Sequence, residues 1–219
     1  MSLISNFQNS TNNKYSKKNI EIVVARYNEN LDWLNYYSPF MTIYNKGDNM
    51  VNPEEIKLNN IGREAHTYLT HIIDNWDHLA DKTFFCQGDV SDHSTYPIYE
   101  YLFNSHHLNI NLDCHQSTCY QFWGHLIIHN PKYLIDFSYS PYTFGHWWDY
   151  YVRKPRPSIL NFKWASGANF SVSRELIKQN SLEYYINLRN SLRECLNPEE
   201  GHFFERSWFY IFDQGIRKS

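Results

Sequence analysis

The run Ile20-Glu21-Ile22-Val23-Val24-Ala25 is apolar and β-branched, and it breaks off abruptly into Arg26-Tyr27-Asn28-Glu29. The same break recurs twice in the first ninety residues. Phe40 to Tyr44 stops at Asn45-Lys46-Gly47-Asp48, and Thr83 to Cys86 stops at Gln87-Gly88-Asp89. Short β-branched or aromatic runs bounded by polar residues read as buried strands. Between the second and third, Ala65, Leu69, Ile72, Ile73 and Trp76 recur at helical spacing. This pattern predicts a helix over about Gly62 to Leu79, capped by Asn60 and with Glu64 in its first turn, where the helix dipole favours an acid. Leu31 and Leu34, three apart, suit a shorter helix after the first strand. Strands alternating with helices give a mostly parallel sheet, and in such sheets ligands bind outside the carboxyl ends of the strands. The expected fold class is therefore α/β, a mostly parallel central sheet flanked by helices.

With 219 residues, one core accounts for the chain better than two. The single domain is expected over 20–219, behind a disordered or loosely attached polar tail, 1–19, rich in Asn and Ser. That tail has no apolar stretch of the kind a signal peptide needs, and no run of about 18 apolar residues occurs in the sequence. A cytoplasmic protein without a membrane span is expected. The net charge of -3 and pI near 6.4 leave no basic footprint for nucleic acid. The cysteines Cys86, Cys114, Cys119 and Cys195 show neither CxxC nor zinc spacing and read as thiols of a reducing compartment.

Further along, Tyr120 to His129 and Tyr133 to Phe137 read as extended. Pro141 to Pro157 reads as a long aromatic connection, a kind of segment more often functional than idle. Trp164 to Val172 reads as a bend leading into a strand. Ser173 is placed as the cap of a helix running toward Cys195, and Glu200 to Phe212 as a last helix.

The groups suited to chemistry gather at the strand ends. Arg26, Asn28, Lys46 and Arg63 are donors of the kind a diphosphate needs, and the start of the long helix adds backbone N–H groups and positive dipole. Asp89 and Asp92, with His93 beside them, supply closely spaced ligands on a loop, a donor set that suits Mg²⁺ or Mn²⁺. Their D-x-x-D spacing also fits a turn capped by an Asp. Glu205 lies within Phe203-Phe204-Glu205-Arg206-Ser207-Trp208, where burial would raise its pKa toward that of a general base; an ion pair with Arg206 or Arg174 explains it equally. Asp213 and Asp149 stand next as candidate bases. No GxSxG elbow, Walker loop, GxGxxG turn or HExxH pair occurs, which argues against serine hydrolase, P-loop NTPase, dinucleotide dehydrogenase and HExxH metalloprotease readings.

The blocks VVARYNENLDWL (23–34), IYNKG (43–47), NIGREAHTYLTHIIDNW (60–76) and FFCQGDVSDH (84–93) resemble, in that order, a family of unknown function with members in fungi, bacteria and large DNA viruses, grouped by similarity with GT-A glycosyltransferases. The later segments WASGANFSVSRELI (164–177) and ERSWFYIF (205–212) are similar to the acceptor-side and late segments of those enzymes. The resemblance implies donor contacts at Arg26, Tyr27, Asn28, Asn45, Lys46 and Arg63, with Asp89 as the acid on the metal side. It implies an acceptor side at Trp164, Gly167 and Asn169, and a late acid as base.

The expected activity is transfer of a sugar from a nucleoside-diphosphate donor, UDP-linked for preference, to a glycan or other hydroxyl acceptor with Mn²⁺ or Mg²⁺ at Asp89. Glu205 would deprotonate the acceptor, with Asp92 as a second catalytic carboxylate, and Trp147, Trp148 and Trp164 would form an acceptor platform. The alternatives are a non-catalytic carbohydrate- or nucleotide-binding protein on the same fold, and a metal-dependent phosphohydrolase using Asp89, Asp92 and His93.

Overall fold

A computed structural model describes residues 16–50, 53–91, 111–112, 123–126, 135–158, 162–163 and 166–213. In β1 (Ile20–Arg26) the residues alternate between two buried faces. Ile22 and Val24 point into one apolar cluster and Val23 into another, all fully buried. A strand covered on both faces belongs at the centre of a sheet. β1 accordingly pairs in parallel with β2 (Met41–Asn45), and β2 in parallel with the short edge strand β3 (Ile56–Lys57). On its other side β1 pairs in parallel with β4 (Lys82–Gln87), with Ile22 opposite Phe84 and Val24 opposite Cys86. The sheet continues through β7 (Phe170–Ser173), antiparallel to β4, and then β5 (Asn111–Leu112). Its order is β3-β2-β1-β4-β7-β5. A separate parallel pair joins β6 (Phe137–Ser138) to β8 (Asn197–Pro198). The mostly parallel sheet flanked by helices agrees with the sequence reading.

The chain leaves β1 toward β2 and β3 on one side, then returns through α1 (Arg63–Asp74) to β4 on the other. That reversal puts a topological switch point between β1 and β4, where the connections diverge and open a crevice. One face of the sheet is covered by a 3₁₀ segment, Asp32–Phe40, which buries Leu34 against Ile22, Ile43 and Phe84. The other face packs against α1 and the closing helix α4 (Glu199–Phe212). Between β7 and β8 run α2 (Arg174–Lys178) and α3 (Leu182–Asn190).

Four local expectations need correction. The cap of α1 is Gly62, at φ 64°, and not Asn60. Ser173 does cap a helix, accepting the Leu176 N–H at 3.2 Å, but that helix ends after five residues. Ser181 then caps α3 by accepting the Tyr184 N–H. The aromatic connection after Pro141 is not irregular. Thr143 caps a helical segment over 144–152 that carries Trp147 and Trp148 into the core at 0% exposure. Finally, residues 16–19 are attached to the domain and not part of a loose tail. The Asn19 Nδ2 donates to Asp81 at 2.8 Å, and its carbonyl accepts the Lys82 N–H. The extended run over 120–129 lies mostly outside the described residues, as do Cys114 and Cys119. No described helix is long and apolar enough to cross a membrane.

Candidate functional site

At the switch point, the carboxyl ends of β1, β2 and β4 and the first turn of α1 enclose a cleft of about 350 Å³. Arg26, Tyr27, Lys46, Arg63 and Asp89, drawn from four separate stretches of sequence, all line it. Asn28 and Asn45 do not.

The donor residues divide into a frame and a cleft. Arg26 is 1% exposed, and its Nε and Nη1 are engaged within the protein. The Nε donates to the Glu29 carbonyl at 2.9 Å, and Nη1 pairs with Glu55 Oε2 at 3.2 Å and donates to the Asn49 carbonyl. Asn45, fully buried, donates through Nδ2 to the same Glu55 oxygen at 2.8 Å and accepts the Gly47 N–H. Asn28 takes a left-handed turn at φ 64°, a conformation Asn tolerates better than most residues, and its Oδ1 accepts the Asn49 N–H. These three side chains hold the loop between β2 and β3 around one buried carboxylate. In this geometry Arg26 and Asn45 are paired with Glu55, and the Asn28 side-chain carbonyl with the Asn49 N–H. Glu55 carries no motif and sits in a polar loop, so only its 6% exposure in the fold reveals its role.

Facing the cleft are Tyr27, Lys46, Arg63 and Glu64. Tyr27 is 54% exposed and presents an aromatic ring at the rim. Gly62 and Arg63 are both left-handed, at φ 64° and 51°. This double reversal turns the chain into α1, with the Gly62 N–H tied to the Cys195 carbonyl. The Arg63 guanidinium donates to Asn197 Oδ1 at 3.1 Å and lies 3.6 Å from the Glu64 carboxylate. Its side chain remains 30% exposed. Lys46 Nζ lies under this turn and donates to the Ile61 carbonyl at 2.6 Å and to the Arg63 carbonyl. Burial lowers its pKa to about 7, with Arg63 adding to the shift and Glu64 opposing it.

Across the cleft, Asp89 is exposed on the loop after β4. Its Oδ1 accepts the Ser91 N–H at 2.9 Å, and this bond and a second one from the Ser91 hydroxyl hold the carboxyl below its usual range. The Asp-capped turn is therefore present, on the rim of the cleft. A Cβ at the neighbouring Gly88 would lie 2.6 Å from Glu29 Oε2 and would displace the end of that side chain. Glu29 lines the same cleft. Among the described residues no group of three or more His, Cys, Asp or Glu side chains is placed to cage a metal ion. Asp92 and His93 lie outside the described residues. The fit to a divalent cation is instead one of charge. With Arg26 neutralised, Glu29, Glu64 and Asp89 face Lys46 and Arg63, so a carboxylate oxygen is available to a cation that arrives with its own phosphate ligands.

Glu205 stands behind Arg63 on α4. Its Oε1 accepts the Gly167 N–H at 2.8 Å, and its Oε2 is 3.9 Å from Arg206 Nη1. Burial raises its pKa; the Arg206 charge opposes the shift and the Glu64 charge reinforces it. Gly167, at φ 65°, and Ala168, at φ 52°, form a second left-handed turn ahead of β7. For an alanine that conformation is strained. The turn delivers Asn169, whose Oδ1 caps the end of β4 by accepting the Gln87 N–H at 3.1 Å and whose buried Nδ2 has no partner among the described residues. Trp164 lies outside the described residues. Trp147 and Trp148 are core residues, their indole N–H groups bonded to Ser191 Oγ and the Lys154 carbonyl, so they cannot form an acceptor platform. Of the reserve acids, Asp149 is paired with Arg156 at 2.5 Å.

No curated protein and no solved structure gives a match to this chain. Residues 22–218 match one sequence family nearly end to end, and the chain belongs to that family, described as "Protein of unknown function (DUF3431)".

Proposed function

We propose that the protein is a glycosyltransferase of the GT-A kind that takes a sugar from a nucleoside diphosphate, a UDP-sugar for preference, and passes it to a glycan or other hydroxyl acceptor. The observation that carries this reading is the cleft at the β1/β4 switch point, which gathers Tyr27, Lys46, Arg63 and Asp89 where open α/β sheets bind nucleotides. Arg63 supplies a cation to the diphosphate, and the first turn of α1 adds unpaired backbone N–H groups and positive dipole. Tyr27 offers its ring face to the base or the sugar. A bound Mg²⁺ or Mn²⁺, held by Asp89 together with phosphate oxygens, would offset charge on the departing diphosphate. Glu205, with its raised pKa and its position behind Arg63 and Glu64, takes the acceptor proton. Asn169 Nδ2 remains as a donor for an acceptor or sugar hydroxyl.

The test is thermal shift of the protein against UDP-, GDP- and TDP-sugars with Mn²⁺ or Mg²⁺, followed by assay of donor hydrolysis. A rise in melting temperature together with slow release of sugar supports the reading. A rise without hydrolysis or transfer would mean a binding protein, and no shift at millimolar concentration would exclude nucleotide sugars altogether.

A further inference from the structure

Among the described residues the amine of Lys46 has two hydrogen-bond acceptors, the Ile61 and Arg63 carbonyls, which flank the left-handed Gly62. A neutral amine has two N–H bonds and a protonated one has three. Two acceptors therefore suit the neutral form, and the remaining tetrahedral position of the nitrogen is a lone pair or a third N–H. Lys46 also lines the cleft, at 8% exposure. We propose that Lys46 is the proton-linked anion sensor of this site: a diphosphate enters the cleft with uptake of one proton from solvent onto Lys46 Nζ, which then donates its third N–H toward the phosphate.

This inference rests on the proposed nucleotide-sugar site and specifies how that site selects an anion. No bond other than N–H is made or broken, and the proton comes from buffer. The charged neighbours set the direction of the linkage. From α1, Glu64 favours the ammonium, while Arg63 disfavours it. His66, lowered to about 4 chiefly by burial, is neutral at the relevant pH. Glu29 after β1 and Asp89 after β4 are the further carboxylates of the cleft, and Arg26 is already paired with Glu55. Burial lowers the Lys46 pKa to about 7, so at pH 8 the neutral amine is the main form in the free protein. A phosphate dianion reverses that balance by its attraction for the ammonium form.

The experiment is calorimetric titration of the full chain with UDP and with GDP, with Mg²⁺ present, at pH 8 in buffers of different ionisation enthalpy. Uptake of about one proton per nucleotide is expected, with Kd rising about tenfold per unit between pH 7.5 and 9. The nucleotide's own phosphate, with a second pKa of about 6, does not titrate in that range. In Lys46→Arg the charge is permanent, so binding should persist with neither uptake nor pH slope. In Lys46→Met, binding should weaken at pH 7.5 and lose its pH slope; this variant decides the matter if Arg cannot be accommodated and melting shows the fold lost. Binding without proton uptake, or uptake unchanged in either folded variant, overturns the sensor and leaves the nucleotide site standing. Failure of both nucleotides to bind removes the site itself and the sensor with it.

Discussion

Glu205 and Gly167 are joined by a hydrogen bond of 2.8 Å from the glycine N–H to the carboxylate Oε1, across 38 residues of sequence. The bond fastens α4 to the left-handed turn that precedes β7, and it fixes the orientation of the one acid behind Arg63 whose pKa is raised.

Glu205→Gln separates catalysis from structure, because the amide oxygen can still accept the Gly167 N–H. If Glu205 is the base, kcat should fall by about 10²–10⁴ with little change in donor affinity. A melting temperature lowered without loss of turnover per folded molecule would assign it to structure. The pH dependence gives a second check. With its folded pKa above its unfolded one, Glu205 contributes stability that is complete below the unfolded value and is lost as pH rises through the folded value. The wild-type protein should lose that stability as pH rises above the usual carboxylate range, and the Gln variant should not.

Asp89→Ala removes an exposed carboxylate whose partner is Ser91 in its own loop. The fold should survive with a melting temperature close to that of the parent. Metal-dependent turnover should disappear. Near-normal turnover in this variant would reduce Asp89 to a turn residue.

Glu55→Ala should be far more damaging to stability, although Glu55 is not among the residues lining the cleft. It would leave the Arg26 guanidinium buried without its counter-charge, a change that typically costs about 3–5 kcal/mol. Urea unfolding measures this directly. Replacing Arg26 and Glu55 together by Met should recover much of the loss, since the penalty comes from the unpaired charge.

Lys154→Met tests the end of α4. Lys154 Nζ donates to the carbonyls of Tyr210, Ile211 and Asp213 at 2.6–2.9 Å, satisfying acceptors that a helix terminus otherwise leaves unpaired. Losing these charge-assisted bonds should destabilise the protein by about 2–3 kcal/mol without altering nucleotide affinity. Burial lowers the Lys154 pKa to about 8. Its linked contribution is therefore present above the unfolded value of 10.5 and lost as pH falls to about 8, and the variant should show a flatter stability profile across that range.

The sequence by itself determined the central strands of the sheet and their polar ends. The alternation of Ile22, Val23 and Val24 required a strand buried on both faces, and the spacing of Ala65, Leu69 and Ile72 required a helix with one apolar stripe. Both follow from backbone geometry, which acts over a few residues and is written into local pattern. The polar breaks at Arg26, Lys46 and Asp89 marked where those strands end, and the fold brought all three to one cleft. What the tertiary structure decided is which of the charges there are available. Arg26 and Arg63 look alike in sequence, each a lone arginine beside a strand or helix end. Glu55, 29 residues away from Arg26, cancels one of them, while the left-handed turn at Gly62 leaves the other part-exposed on the cleft. Trp147 and Trp148 read as a surface platform until the core closed over them. Pairing and burial depend on contacts between residues distant along the chain, and no local periodicity encodes those.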